Sequence, residues 1–154
     1  MYEGKLNIVH KERKGLDIDI LGISEMKWTG RGHFRSANNI VMYSGHNTNR
    51  KNGVGMNITN QVSKSLTGYK AVNDRIIYIR VKAHPVNNLC TGVCSYNQCG
   101  YSGHRFLNLH LTLNKTLRKD VLILMGEWNS KIGKEEEPGT VGRYGLGSRN
   151  EAGE

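Results

Sequence analysis

Proline occurs only twice in 154 residues and aromatic side chains make up 7% of them. No apolar run approaches the roughly 18 residues that a membrane helix requires, which leaves no candidate for a spanning helix. Cysteine is scarce too. Three is an odd number, which argues against a disulfide framework and for a reducing compartment. Met1-Tyr2-Glu3-Gly4-Lys5 opens no apolar run, so no secretory signal is expected and the location is expected to be nuclear or cytoplasmic. Hydrophobic residues amount to 37%, enough for one thin core and too few, at this length, for two domains.

Glycine and positive charge are abundant. Nineteen glycines against two prolines point to turns and tight strand connections, hence a mixed α/β domain and not a helical bundle. Lys and Arg total 22 against 13 acidic residues, a net charge of +9. A surplus of that size favours polyanions, because each neutralised phosphate releases condensed counterions. Basicity also serves plain solubility, so charge alone does not choose between the two.

Leu6, Val9 and Leu16, spaced among Lys, Arg and Glu, predict a short amphipathic helix over residues 3–16. Leu16 to Ile23 alternates and then turns fully apolar, the pattern of a buried strand. Asn39 to Ser44, Val54 to Ile58 and Arg75 to Val81 are further strands, and the polar cluster from His46 to Gly53 is a connection. Val121 to Met125 reads as the clearest buried strand. Residues 83–113 hold all three cysteines and keep neither a helix nor a strand period. From Gly139 to Glu154 the chain is polar and glycine-rich, and is expected to be irregular. No internal repeat is visible.

Two of the buried strands run into polar clusters, Ser24-Glu25-Met26-Lys27-Trp28 and Gly126-Glu127-Trp128-Asn129. Ligands of open α/β sheets sit beyond the carboxyl ends of strands, which suits a shared site there. Two carboxylates and an amide are hard oxygen donors of the kind Mg²⁺ takes, with water and phosphate completing its shell. Solvated strand ends are the commoner meaning of such carboxylates. Cys90, Cys94 and Cys99 with His84 and His104 match no common zinc spacing. Trp28 and Trp128 suit packing better than base stacking.

The phrases DIDILGISEMKWTG (17–30), NDRIIYIR (73–80) and KDVLILMGEWNSKIGKEEEPGTVGRYGLG (119–147) resemble the endonuclease/exonuclease/phosphatase superfamily. More narrowly, they are similar to the endonuclease domains of RTE or BovB-type LINE retrotransposons. The likeness covers most of residues 3–92 and 115–153. It implies a four-layer α/β sandwich, two mixed β-sheets face to face between helices, acting as a monomer. It also implies Mg²⁺- or Mn²⁺-dependent cleavage of a DNA phosphodiester. On that resemblance Glu25 stands at the metal-binding Glu and Lys27 at the adjacent basic position. Asn129 stands at the Asn that holds the attacked phosphate, and Arg75 is a further nucleic-acid contact. Residues 53–55 fit the family's glycine-led third strand.

The sequence departs from the family in four places. Glu127 replaces the Asp of a Gly-Asp-x-Asn motif, and Val93-Cys94-Ser95-Tyr96 stands where Val-Tyr-Ala-Pro is expected. The resemblance puts the opening Asn-bearing strand before residue 1 and the closing Asp-His pair beyond residue 154. The expectation is therefore one partial domain over residues 1–154, disrupted at 94–113, which keeps weak, non-specific DNA binding and lacks cleavage. A basic nucleic-acid-binding remnant without chemistry, or an unselected pseudogene fragment with no stable fold, remain the alternatives. A shifted reading frame accounts for segment 94–113. One permitted codon choice for Val93 to Cys99, GTA TGC TCC TAC AAC CAA TGC, gives Tyr-Ala-Pro-Thr-Thr-Asn when read one nucleotide later, so the sequence is compatible with such a shift.

Overall fold

A computed structural model describes residues 3–84, 88–95, 109–114, 119–150 and 153. Helix α1 (Glu3–Gly15) opens the chain. Leu6 and Arg13, seven residues apart, share one face and are both buried, 5% and 8% exposed. Arg13 anchors the helix by donating to Asn39 Oδ1 at 2.7 Å and to the Ile18 carbonyl. The helix stops at Gly15, and Asp17 has a left-handed φ of 51°. Strand β1 therefore begins only at Ile20 and runs to Ile23, later than the alternation from Leu16 predicts. Leu16 belongs to the helix exit and is 69% exposed.

Strands β2 (Arg31–Ser36), β3 (Asn39–Ser44) and β4 (Val54–Thr59) complete a first sheet in the order β1-β4-β3-β2, antiparallel throughout. The single-turn helix α2 (Asn60–Ser63), capped by Thr59, leads to a second sheet. It consists of β5 (Leu66–Asn73), β6 (Ile76–Lys82), β7 (Asn88–Ser95) and β8 (Val121–Glu127), in that order. Only the β7–β8 pair is parallel, so one sheet is mixed and the other is not. Hairpin-length links join β2 to β3 and β5 to β6. A parallel pair instead needs a long crossover, and the segment between β7 and β8 supplies one.

Four layers follow from strand alternation. Val54, Met56 and Ile58 on one face of β4 meet Ile77, Ile79 and Val81 of β6, and this is the main core. The opposite face of the first sheet, with Ile23 and Val41, takes Leu6 of α1 and Met26. Ile76, on the outer face of the second sheet, packs with Leu109 of a helical turn at 109–113. The expected α/β sandwich is present. No helix among the described residues is long and apolar enough to cross a membrane.

Two readings need correction. Segment 83–113 contains β7, central in its sheet and hydrogen-bonded on both sides, as well as the turn at 109–113. Most of the segment assigned to a shifted frame, 96–108, lies outside the described residues. The Val121–Met125 run is a strand, but not a buried one. It forms the edge of its sheet, and Val121, Leu122 and Ile123 are 42%, 41% and 46% exposed. Cys90 and Cys94 lie four residues apart in one extended strand. At about 3.3 Å per residue their backbones are on the order of 13 Å apart, too far for a single tetrahedral zinc. Cys99 and His104 lie outside the described residues.

The polar groups beneath α1 limit stability. Asn57 is wholly buried opposite Leu21 and Val41, and neither its amide nitrogen nor its oxygen has a hydrogen-bond partner among the described residues. Such burial costs about 1–3 kcal/mol. Asn57→Leu is expected to raise the unfolding free energy by about that amount in a urea titration. Burial, and then the Arg13 guanidinium, hold the His10 imidazole below its ordinary value of 6.5. The folded state thus binds fewer protons than the unfolded one. The corresponding stability is complete above pH 6.5 and is lost as pH falls through the depressed value. Melting curves across that window should show it, and His10→Gln should flatten the dependence.

Candidate functional site

The site lies at one end of the sandwich, where the carboxyl ends of β1, β5, β7 and β8 meet the start of β6. Residues 24–28 leave β1 in an unusual path. Glu25 and Lys27 both have left-handed φ, 51° and 56°, with Met26 between them only 1% exposed. That alternation sends Met26 inward on the α1 face of the first sheet. There it lies against Gly55, where an added Cβ would meet its sulfur at 2.2 Å. Two backbone bonds fix the path, Met26 N to Gly53 O at 2.9 Å and Lys27 N to Asn52 O at 2.8 Å. Left-handed φ costs a non-glycine residue roughly 1–2 kcal/mol, so burial of Met26 has to hold the turn.

Residues 52–53 then reach the other sheet. Gly53 N donates to Asp74 O at 3.0 Å, and Ser44 Oγ donates to Asn73 O at 2.6 Å. The Asn52 side chain donates to Asp74 Oδ2 at 2.7 Å and accepts from Arg75 Nη2 at 2.9 Å. Arg75 is thereby joined, through one residue, to the backbone of Lys27.

On the far side, Ser24 Oγ donates to Glu127 Oε2 at 3.4 Å. Ser24, Glu127, Gly22, Met125 and Gly126 line a shallow cleft of about 250 Å³, just below the roughly 300–1,000 Å³ of organic-ligand pockets. Beyond β8, Asn129 is exposed with φ 51°. The irregular tail is tied back to it. Asn150 Nδ2 donates to Asn129 O at 3.1 Å, and Asn150 Oδ1 accepts from Lys131 N at 2.9 Å. Residues 139–150 carry no helix or strand element, but they are hydrogen-bonded to the β8 loop.

The residues expected to act therefore fall into two linked groups. Glu127 reaches the residue next to Glu25, bringing together the ends of β1 and β8. Arg75 and Lys27 share Asn52. Glu25 and Arg75 are half-buried, whereas Lys27, Glu127 and Asn129 are exposed. Among the described residues no three His, Cys, Asp or Glu side chains converge as a metal cage. Trp28 packs against Phe34 and Tyr43, at ring distances of 5.7 Å and 5.2 Å, and Trp128 is 36% exposed. Sequence reasoning missed Asn52, Asp74 and Asn150. An Asn-Gly pair at 52–53 signals a turn but not its partners.

Fold and site together define a layered α/β domain with acidic and basic groups at the strand ends of both sheets. Over 99% of its length this chain is similar, at 40% identity across 156 aligned positions, to craniofacial development protein 2 of Bos taurus. The same identity and coverage hold for craniofacial development protein 2 of Tragulus javanicus. The chain spans about a quarter of these curated relatives, 26% and 27%. No family model matches it.

Met26→Ala removes the side chain that holds the 24–28 turn. It is expected to cost about 2–5 kcal/mol in chemical denaturation. Lys27 amide exchange should rise as well, because the turn and its bond to Asn52 depend on the same side chain. Unchanged exchange would contradict that coupling.

Proposed function

We propose that this chain is a DNA-binding remnant of a Mg²⁺-dependent endonuclease domain of the endonuclease/exonuclease/phosphatase type, the kind carried by RTE and BovB retrotransposons, and that it no longer cleaves DNA. The observation that carries the reading is the approach of Glu127 to Ser24, which sets two carboxylate-bearing strand ends from different sheets at one cleft. The 40% likeness to the craniofacial development proteins extends through both strand ends.

Glu25 and Glu127 are hard oxygen donors and fit the sparse carboxylate set that Mg²⁺ or Mn²⁺ accepts when water and phosphate fill its other positions. When bound, such an ion would polarise a phosphoryl oxygen. Lys27 and Arg75 would neutralise flanking phosphates, and each such contact adds roughly 0.9 to the slope of log affinity against log salt. Asn129 would hold a phosphate oxygen through its amide. The contacts assigned to Lys27, Arg75 and Asn129 are all to phosphate, which carries no sequence information, so binding is expected to be without sequence preference.

Cleavage fails on placement. Glu127 extends its oxygens beyond those of the family's Asp by about one bond length, on the order of 1 Å, and errors of that size cost about a hundredfold in rate. Cys94 cannot supply the phenolic hydroxyl of the Tyr it replaces. Residues that act as a unit do not compensate for one another, so Glu127→Asp alone is not expected to restore activity. With Mg²⁺ or Mn²⁺, supercoiled plasmid should be nicked no faster by this chain than by Glu25→Ala. Fluorescence anisotropy should show duplex DNA bound and then released steeply as salt rises. Nicking that disappears in Glu25→Ala would overturn the loss of activity, and salt-insensitive or absent binding would overturn the DNA reading.

A further inference from the structure

Asn52 takes no part in the chemistry just described, yet it joins three elements at this end of the molecule. Only 8% exposed, it has a left-handed φ of 54°. Its carbonyl accepts from Lys27 N, its amide nitrogen donates to Asp74 and its amide oxygen accepts from Arg75. One residue of the first sheet's β3–β4 connection is thus bonded to the β1 exit and to both residues of the β5–β6 turn. An uncharged amide suits the task. It holds one guanidinium nitrogen and adds no counter-charge of its own, as a carboxylate at 52 would.

We infer that Asn52 is a positioning residue, which fixes the Arg75 guanidinium and the Lys27 turn in register so that both cations engage one nucleic-acid backbone. The inference rests on the DNA-binding reading. It adds the residue that makes two separate cations act together. An Arg side chain left to itself loses much rotamer freedom on binding, and prior fixation removes that cost.

The test is a double-mutant cycle on duplex DNA binding, measured by anisotropy from low to physiological salt with the whole chain. Glycine at 52 tolerates the left-handed backbone and removes only the amide, so Asn52→Gly is the informative variant. Asn52→Gly and Arg75→Ala are each expected to weaken binding several-fold and to lower the salt slope by about one phosphate contact, roughly 0.9. The double variant should be no weaker than Arg75→Ala alone. A merely structural Asn52 would lower the melting temperature, leave the salt slope unchanged and add its effect to that of Arg75→Ala. That outcome overturns the inference. Should Asn52→Gly not melt cooperatively, Asn52→Ser enters the same cycle, since its shorter hydroxyl cannot bridge Asp74 and Arg75 at once. If the unmutated chain itself fails to bind DNA, the functional reading falls and the inference falls with it. If it binds and the variants add, only the inference falls.

Discussion

Much of this structure depends on one buried side chain. Met26 lies over Gly55 on the outer face of the first sheet, and the residues on either side of it adopt left-handed backbone in order to put it there. Burying a methionine yields about 1.5–3 kcal/mol, comparable with the roughly 1–2 kcal/mol cost of each left-handed residue. The turn is therefore near balance by itself, and its two backbone bonds to residues 52–53 tip it. Because residues 52–53 also bond to the β5–β6 turn, the same turn registers one sheet against the other. Glu25 and Lys27 point away from the core because Met26 points into it.

Apolar contacts hold the rest of the sandwich, and polar flaws weaken it. Between the sheets, Met42, Val54, Met56, Ile58, Ile77, Ile79 and Val81 form a continuous buried cluster. Under α1 the packing is more mixed. Arg13 donates to Ile18 and Asn39 through its two terminal nitrogens, but its Nε, like polar atoms of Asn57 and His10, meets no described group. The β8 edge is a different kind of exception. Its apolar residues are unusually exposed for a strand with no Lys or Pro to blunt it, although Asp120 just before it is held by Arg80 at 2.8 Å.

How much of this was legible in the sequence varies with the range of the cause. Periodicity set by neighbours a few residues away is readable. Leu6 and Val9 give α1, and β3 falls at Asn39–Ser44 as the pattern predicts. Val121 to Met125 is readable as a strand, but its place at an edge depends on sheet order, which no local pattern encodes. The polar or glycine-broken strands β2, β5 and β7 give no clean alternation, and they form because partners pair with them. The clusters at Glu25 and Glu127 were readable as candidates from chemistry and from the family resemblance. Asn52 was not, since its importance lies in contacts with Lys27, Asp74 and Arg75, all of them more than 20 residues away. Asn150 escaped for the same reason.

On the proposed reading, DNA meets the strand-end site and not simply the most basic surface. Helix α1 carries Lys5, Lys11 and Lys14 and offers a competing basic surface at its own face. Titrating a short duplex into the ¹⁵N-labelled protein and following amide shifts separates the two. Shifts concentrated at residues 24–27, 52–53, 73–75 and 126–129 are the predicted result. Shifts confined to Lys5, Lys11 and Lys14, with those strand ends unmoved, would contradict it.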